Sequence, residues 1–167
     1  MYDKITQKDV KRMEEEIEHR ILVVRPDTLK DVKEARAHGD LSENFEYKAA
    51  KKAQRENESR IRYLKRMIKT AQIVSEESNQ DEVGLNDAVT IYYPDDGEEE
   101  TVKIVTTVRS NSLKGRIGMD SPLGKALMRR RVMDKVSVKV DENYSYEVVI
   151  RKIEKLEDDG EDEMRKY

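Results

Sequence analysis

The sequence predicts an α+β protein: an N-terminal antiparallel two-helix coiled-coil arm followed by a small antiparallel-sheet domain with one short helix. Three observations predict it. Apolar residues recur at three- and four-residue steps from about Thr6 to Gly39, and again at heptad-like spacing to about Ile73. Only the stretch His38-Gly39-Asp40-Leu41-Ser42-Glu43-Asn44 separates the two patterns, and long helices joined by so few residues fold back on each other. Further on, short β-branched runs alternate with turn residues, which is strand patterning.

Composition supports a slender arm over a single large globule. Of 167 residues, 41% are charged and 36% hydrophobic, with one Phe and no Trp. Such a chain buries a seam and a small core rather than a broad one. The absence of cysteine excludes a disulfide framework, a thiolate metal site and a thiol nucleophile. The start is charged, and no apolar run approaches bilayer length, so the expectation is a cytoplasmic protein without a membrane partner. Residues 1–73 carry 18 Lys+Arg against 14 Asp+Glu, whereas residues 74–167 carry 15 against 22. A positive arm beside a negative body points to a polyanionic partner for the arm.

Taken in order, the arm spans residues 1–75. Thr6 caps the first helix, and Val10, Met13, Ile17, Ile21 and Val24 form its apolar stripe. Pro26 should bend or restart that helix, because it lacks a donor and disfavours helical geometry in Arg25. The stripe resumes at Leu29, Val32 and Ala35 and ends at Gly39. The return helix places Ala50, Gln54, Asn57, Ile61, Leu64, Ile68 and Ala71 in the seam, so packing should be thin near the tip and better at the base. Its cations are grouped. Lys48, Lys51, Lys52 and Arg55 sit at i, i+3, i+4 and i+7, and Arg62, Lys65, Arg66 and Lys69 extend the stripe. A solvated helix face and a nucleic-acid backbone contact both fit it.

The tip also has two readings. Asp40 followed by Glu43 is a capping-box arrangement at a positive helix end. The same two carboxylates, one turn apart, offer oxygens to a hard cation such as Mg²⁺. Two ligands on a solvated tip cannot hold Mg²⁺ tightly, so a partner would have to complete the site. His38 is read as a helix-end residue or a member of the tip, and His19 as an exposed helical residue.

The second half begins with a polar linker, residues 76–84, followed by a domain over 85–157 and an acidic, disordered tail over 158–167. Strands are predicted at Ala88–Tyr93, Thr101–Val108, Gly115–Met119, Lys135–Val140 and Tyr144–Lys155. Pro94-Asp95-Asp96-Gly97 is a turn, and Ser121-Pro122 opens a short helix to about Met128.

Arg25-Pro26 and the run from Glu34 through Arg36, Asp40, Ser42, Glu43, Asn44 and Tyr47 to Lys51 closely resemble the signature of the bacterial transcript-cleavage factors GreA and GreB. A second block, Ser121-Pro122-Leu123-Gly124-Lys125-Ala126-Leu127, and the turn Asp95 to Thr101 resemble the same family, from about Thr6 to Leu156. The resemblance implies a factor that is not itself an enzyme. It binds RNA polymerase as a monomer, inserts the arm through the secondary channel, and stimulates cleavage of the backtracked nascent RNA 3′ end. Asp40 and Glu43 match the acids that help hold a polymerase Mg²⁺, a metal shared with the polymerase in two-metal phosphodiester chemistry. Arg36, Ser42 and Asn44 match supporting tip residues. Lys48, Lys51, Lys52 and Arg55 would guide RNA. The C-terminal domain would be FKBP-like and dock on the polymerase, with Ser121, Pro122 and Leu123 in the docking block.

Departures from the family pattern are Phe45 beside the tip, Arg129 and Met133 where glycines are usual, and Asp141-Glu142-Asn143 in place of a Pro-Gly hairpin. Arg129-Arg130-Arg131 reads as an anion contact or a solvated turn. Other functions compete: a channel binder that inhibits without cleavage, a prolyl isomerase, or a coiled coil that pairs with itself. The motif acids argue against the first, and the absence of Phe and Trp from the second domain against the isomerase.

Overall fold

The computed structural model describes residues 3–39 and 44–166. The chain divides into two units, one formed by residues 7–71 and the other by the segments before and after it, through residue 165. This differs from the boundaries expected at 75/76, 84/85 and 157/158.

The first unit is the helical hairpin. Helix α1 covers Gln7–His19, a π-helical segment covers Arg20–Val24, α2 covers Arg25–Arg36, and α3 covers Phe45–Thr70. Pro26 is accommodated within a chain that stays helical, directly after the π segment. The wide turn before it lets the Arg25 amide reach back five residues to the Arg20 carbonyl, and Arg25 keeps helical dihedrals (φ −59°, ψ −50°). After that turn the stripe differs at one position. Thr28, Val32 and Ala35 are buried, whereas Leu29, expected in the stripe, is 49% exposed. On α3 the buried positions are Asn57, Arg60, Ile61, Leu64 and Met67. Ala50 and Gln54 are half-buried, so the seam is thinner toward the tip, as expected.

The second unit opens with β1 (Lys4–Ile5), paired in parallel with β2 (Gln72–Ile73). Its main sheet contains β3 (Ala88–Tyr93), β4 (Glu98–Val105), β5 (Arg116–Gly118), β6 (Lys135–Lys139) and β7 (Ser145–Glu154), in the order β5-β4-β3-β7-β6. All neighbours are antiparallel except β4 and β5, which run parallel. β4 starts three residues before the predicted Thr101. The acidic Glu98–Glu100 join the ladder because β3 offers partners: the Tyr93 hydroxyl donates to Glu100 at 2.6 Å. The C-terminal part of that prediction becomes a 3₁₀ turn at Thr107–Arg109.

One face of the sheet is apolar by strict alternation: Val89 and Ile91, Val102 and Ile104, Val136 and Val138, Val148 and Ile150. Helix α4 (Pro122–Leu127) covers it through Leu127. Ser121 caps α4 by accepting the Gly124 amide at 3.1 Å, and its hydroxyl donates to the Gly118 carbonyl at 2.7 Å. A Cβ on Gly124 would lie 2.0 Å from that carbonyl, so the helix can sit there only with glycine.

The expected linker and tail both belong to this unit. Val83 is in the core, and its backbone pairs with Arg129 and Arg130. The buried Asp87 carboxylate accepts the Gly84 amide and pairs with Lys155, whose ammonium also donates to the Asn79 and Glu82 carbonyls. In the tail, Asp162 is 3% exposed and pairs with Arg109, Arg116 and Lys103 at 3.0–3.2 Å. Arg109 is fully buried, and a charge taken out of water must be matched by charges that accompany it. Disorder was expected from composition alone, which could not reveal Arg109 waiting 53 residues upstream.

Candidate functional site

The tip is built from the facing ends of α2 and α3. Asn44 is the N-cap of α3: its Oδ1 accepts the Tyr47 amide at 3.0 Å. Its amide nitrogen donates to the Ala35 carbonyl at 2.7 Å, a C-terminal group of α2 that also accepts the His38 amide at 3.2 Å. One side chain thus ties both helix ends, on either side of the acidic motif. Gly39 leaves α2 at φ +116°, a backbone that side chains rarely adopt. Asp40, Ser42 and Glu43 lie outside the described residues, and with them the expected capping box.

Arg36, at the end of α2, lies over the Tyr47 ring at 5.6 Å and donates to its hydroxyl at 3.4 Å. The Arg36 hydrogen bond lowers the Tyr47 pKa below its ordinary value; slight desolvation opposes this, and the charges of Arg36, Lys51 and Arg55 add to it. This face of the tip therefore carries a positive field, which suits an anionic ligand. On another face the His38 Nδ1 lies 3.3 Å from a Glu46 carboxylate oxygen, both well exposed. Phe45 is 79% exposed, with the Lys48 ammonium 5.6 Å from its ring centre.

The basic stripe on α3 is present but partly engaged. Lys48, Lys52 and Arg55 are exposed and Lys51 is half-buried. Lys51 donates to Gln54 at 3.3 Å, and Lys52 lies 3.8 Å from Glu56. Ser121, Pro122 and Leu123 are at the start of α4, in the sheet unit. Among the described residues, no group of three or more His, Asp or Glu could hold a metal ion. No helix among them is long and apolar enough to cross a membrane.

Sequence reasoning missed two supports of the arm. Arg25 grips Glu58 with two bonds of 2.7 and 2.8 Å, raising its own pKa and lowering that of Glu58. Glu16 pairs with Arg20 at 2.8 Å and Arg60 at 2.9 Å. Burial pushes Glu16 upward, but the bonds from these two arginines outweigh it and hold it below the ordinary carboxylate value. Glu16 and Arg20 stand four residues apart on one helix, a spacing visible in sequence, but the Arg25–Glu58 and Glu16–Arg60 pairs have no sequence signal, because partners 33 and 44 positions apart share no period. Tyr47 could have been found: it stands three residues after an Asn at a helix start.

The two units, a helical hairpin and a mixed sheet, coincide with two family models of transcription elongation factors. Residues 4–73 match the family model described as transcription elongation factor, N-terminal, and residues 77–155 match that of the GreA/GreB C-terminal part. The chain belongs to the GreA/GreB family of transcription elongation factors. It is 43% identical to transcription elongation factor GreA of Geobacillus kaustophilus, over 80% of this chain and 85% of that one. It is 41% identical to GreA of Chloroflexus aggregans, over 80% and 86%. A solved structure of GreA factor homolog 1 of Thermus thermophilus is 26% identical over 93% of this chain and 100% of its own, with a TM-score of 0.42.

Proposed function

We propose that this protein binds RNA polymerase through the secondary channel and stimulates cleavage of the backtracked nascent RNA 3′ end. It is a cytosolic protein that engages the polymerase as a single copy, without catalytic activity of its own. The observation that carries this reading is the double hydrogen bond of Asn44, which fixes the two helix ends bordering the Asp40–Glu43 motif.

The roles of the residues follow from their chemistry. Asp40 and Glu43 are hard oxygen donors of the kind Mg²⁺ takes, and two of them make an incomplete set, so the ion is held jointly with the polymerase. When bound, Mg²⁺ stabilises the attacking and leaving oxygens of phosphodiester hydrolysis. Arg36 and Asn44 hold the motif's borders, and Ser42 lies between the two acids. Lys48, Lys51, Lys52 and Arg55 guide the RNA by phosphate contact, with the field around Tyr47 in support. Ser121, Pro122 and Leu123 belong to the surface of the sheet unit that docks on the polymerase.

The test is a deliberately backtracked elongation complex carrying 5′-labelled RNA and Mg²⁺. The RNA should shorten with the parent protein and stay full length with Asp40→Asn or Glu43→Gln, both variants still binding the polymerase. Shortening by both variants would remove the metal role of the acids. Slowed nucleotide addition without shortening would make the protein a channel blocker instead.

A further inference from the structure

The face of α1 and α2 opposite the seam carries a charge pattern with a centre of symmetry. Leu22 is 64% exposed and Val23 46%. The wide turn at Arg20–Val24 carries both of these consecutive apolar residues at the surface, and Pro26 is exposed just beyond them. Exposed Glu15 and Glu18 flank this patch on one side, and exposed Lys30 and Lys33 flank it on the other. Their spacing is regular. Glu15 and Lys33, Glu18 and Lys30, and Leu22 and Pro26 are each equidistant in sequence from Val24.

We propose that this face binds a second copy of the chain. The two helices run antiparallel about a twofold axis beside Val24. Glu18 of each copy then meets Lys30 of the other, Glu15 meets Lys33, and Leu22 packs on Pro26. A twofold contact uses one patch twice and requires it to be self-complementary, a condition no other partner imposes. Lys30 is only loosely engaged within its own chain, 3.9 Å from Glu34 with both side chains largely exposed, so it is free to exchange partners. So few side chains on each side fall short of the ~1,200 Å² that a stable interface buries, so the dimer is weak and salt-sensitive. Pairing covers the arm's outer face and therefore competes with any other use of it.

The test is sedimentation velocity on the full chain at low salt, up to millimolar protein. The parent should form a dimer whose fraction rises with concentration and falls with salt. Glu18→Lys sets lysine against lysine at two symmetric places and should raise the dimer dissociation constant about tenfold. The double variant Glu18→Lys with Lys30→Glu should return it to within about threefold of the parent, because swapped pairs attract equally. Leu22→Asp should leave only monomer. A parent that is monomeric throughout would overturn the proposal, as would a dimer indifferent to both charge variants. Charge variants that weaken polymerase binding while no dimer forms would also overturn it and assign the face to the polymerase.

Discussion

Asn57 and Arg20 hold each other by two bonds across the hairpin: the Arg20 guanidinium donates to the Asn57 side-chain oxygen at 3.1 Å, and the Asn57 amide donates to the Arg20 carbonyl at 3.3 Å. The same carbonyl accepts the Arg25 amide that closes the π turn. A buried polar residue in the seam thus fastens the π turn to the opposite helix. Asn57→Ala removes both bonds, while the Arg20 guanidinium keeps Glu16 and its carbonyl keeps the Arg25 amide, so the cost should be about 1–2 kcal/mol. Urea unfolding followed by circular dichroism should show the midpoint falling at unchanged slope.

Acid should loosen both units. Glu16 and Asp162 are both held below their ordinary values of 4.5 and 3.8; burial opposes this, but their Arg and Lys partners prevail. A carboxylate depressed in the folded state contributes its full stability above its unfolded value and loses it as pH falls through the folded one. Stability should therefore be flat near neutrality and decline below about pH 4. Asp162→Asn should flatten the decline that belongs to the sheet unit. A decline of unchanged steepness in that variant would show that other carboxylates dominate.

Arg129 and Met133 stand at φ +65° and +75°, in the left-handed region that favours glycine, and both are exposed. An L side chain there costs roughly 1–2 kcal/mol. Glycine relieves this but adds freedom to the unfolded chain, so each of Arg129→Gly and Met133→Gly should stabilise by up to about 1 kcal/mol. Thermal unfolding would show it as a rise of a few degrees in Tm.

Charge reversal at Lys51, Lys52 and Arg55 tests the stripe. Under the proposed function it should reduce photo-crosslinking of the protein to the RNA 3′ end in a backtracked complex, and raised salt should weaken the parent's crosslink more than the variant's. An unchanged yield would make the stripe a solvated face.

The legibility of the sequence followed the range of the interactions. Periodicity found the helices and the strand Ala88–Tyr93, and Ser121-Pro122 announced the start of α4, because these are signals between near neighbours. The same logic missed Leu29, which follows the π turn and yields its buried place to Thr28, whereas Val32 and Ala35 are buried as expected. It missed the parallel pairing of β5 and the docking of the tail, which depend on partners far along the chain. The replaced glycines were visible in sequence, and the structure adds that the backbone kept the glycine conformation after losing the residue. At the tip, the motif was read from resemblance. The contribution of Asn44 in tying both helix ends emerged from the structure.

The short pair β1 and β2 has a consequence for how such a chain can change. Lys4↔Gln72 and Ile5↔Ile73 are partners, so the chain departs for the hairpin and returns from it through adjacent, hydrogen-bonded gateposts. The helical hairpin is thereby an insertion spliced into the sheet unit, and an insertion whose ends are neighbours can be exchanged with little disturbance to its host. Lengthening, shortening or replacing the hairpin beyond those gateposts leaves the host's hydrogen-bond ladder intact. This makes the chain's architecture a modular one, in which the reach of the arm can change separately from the domain that carries it.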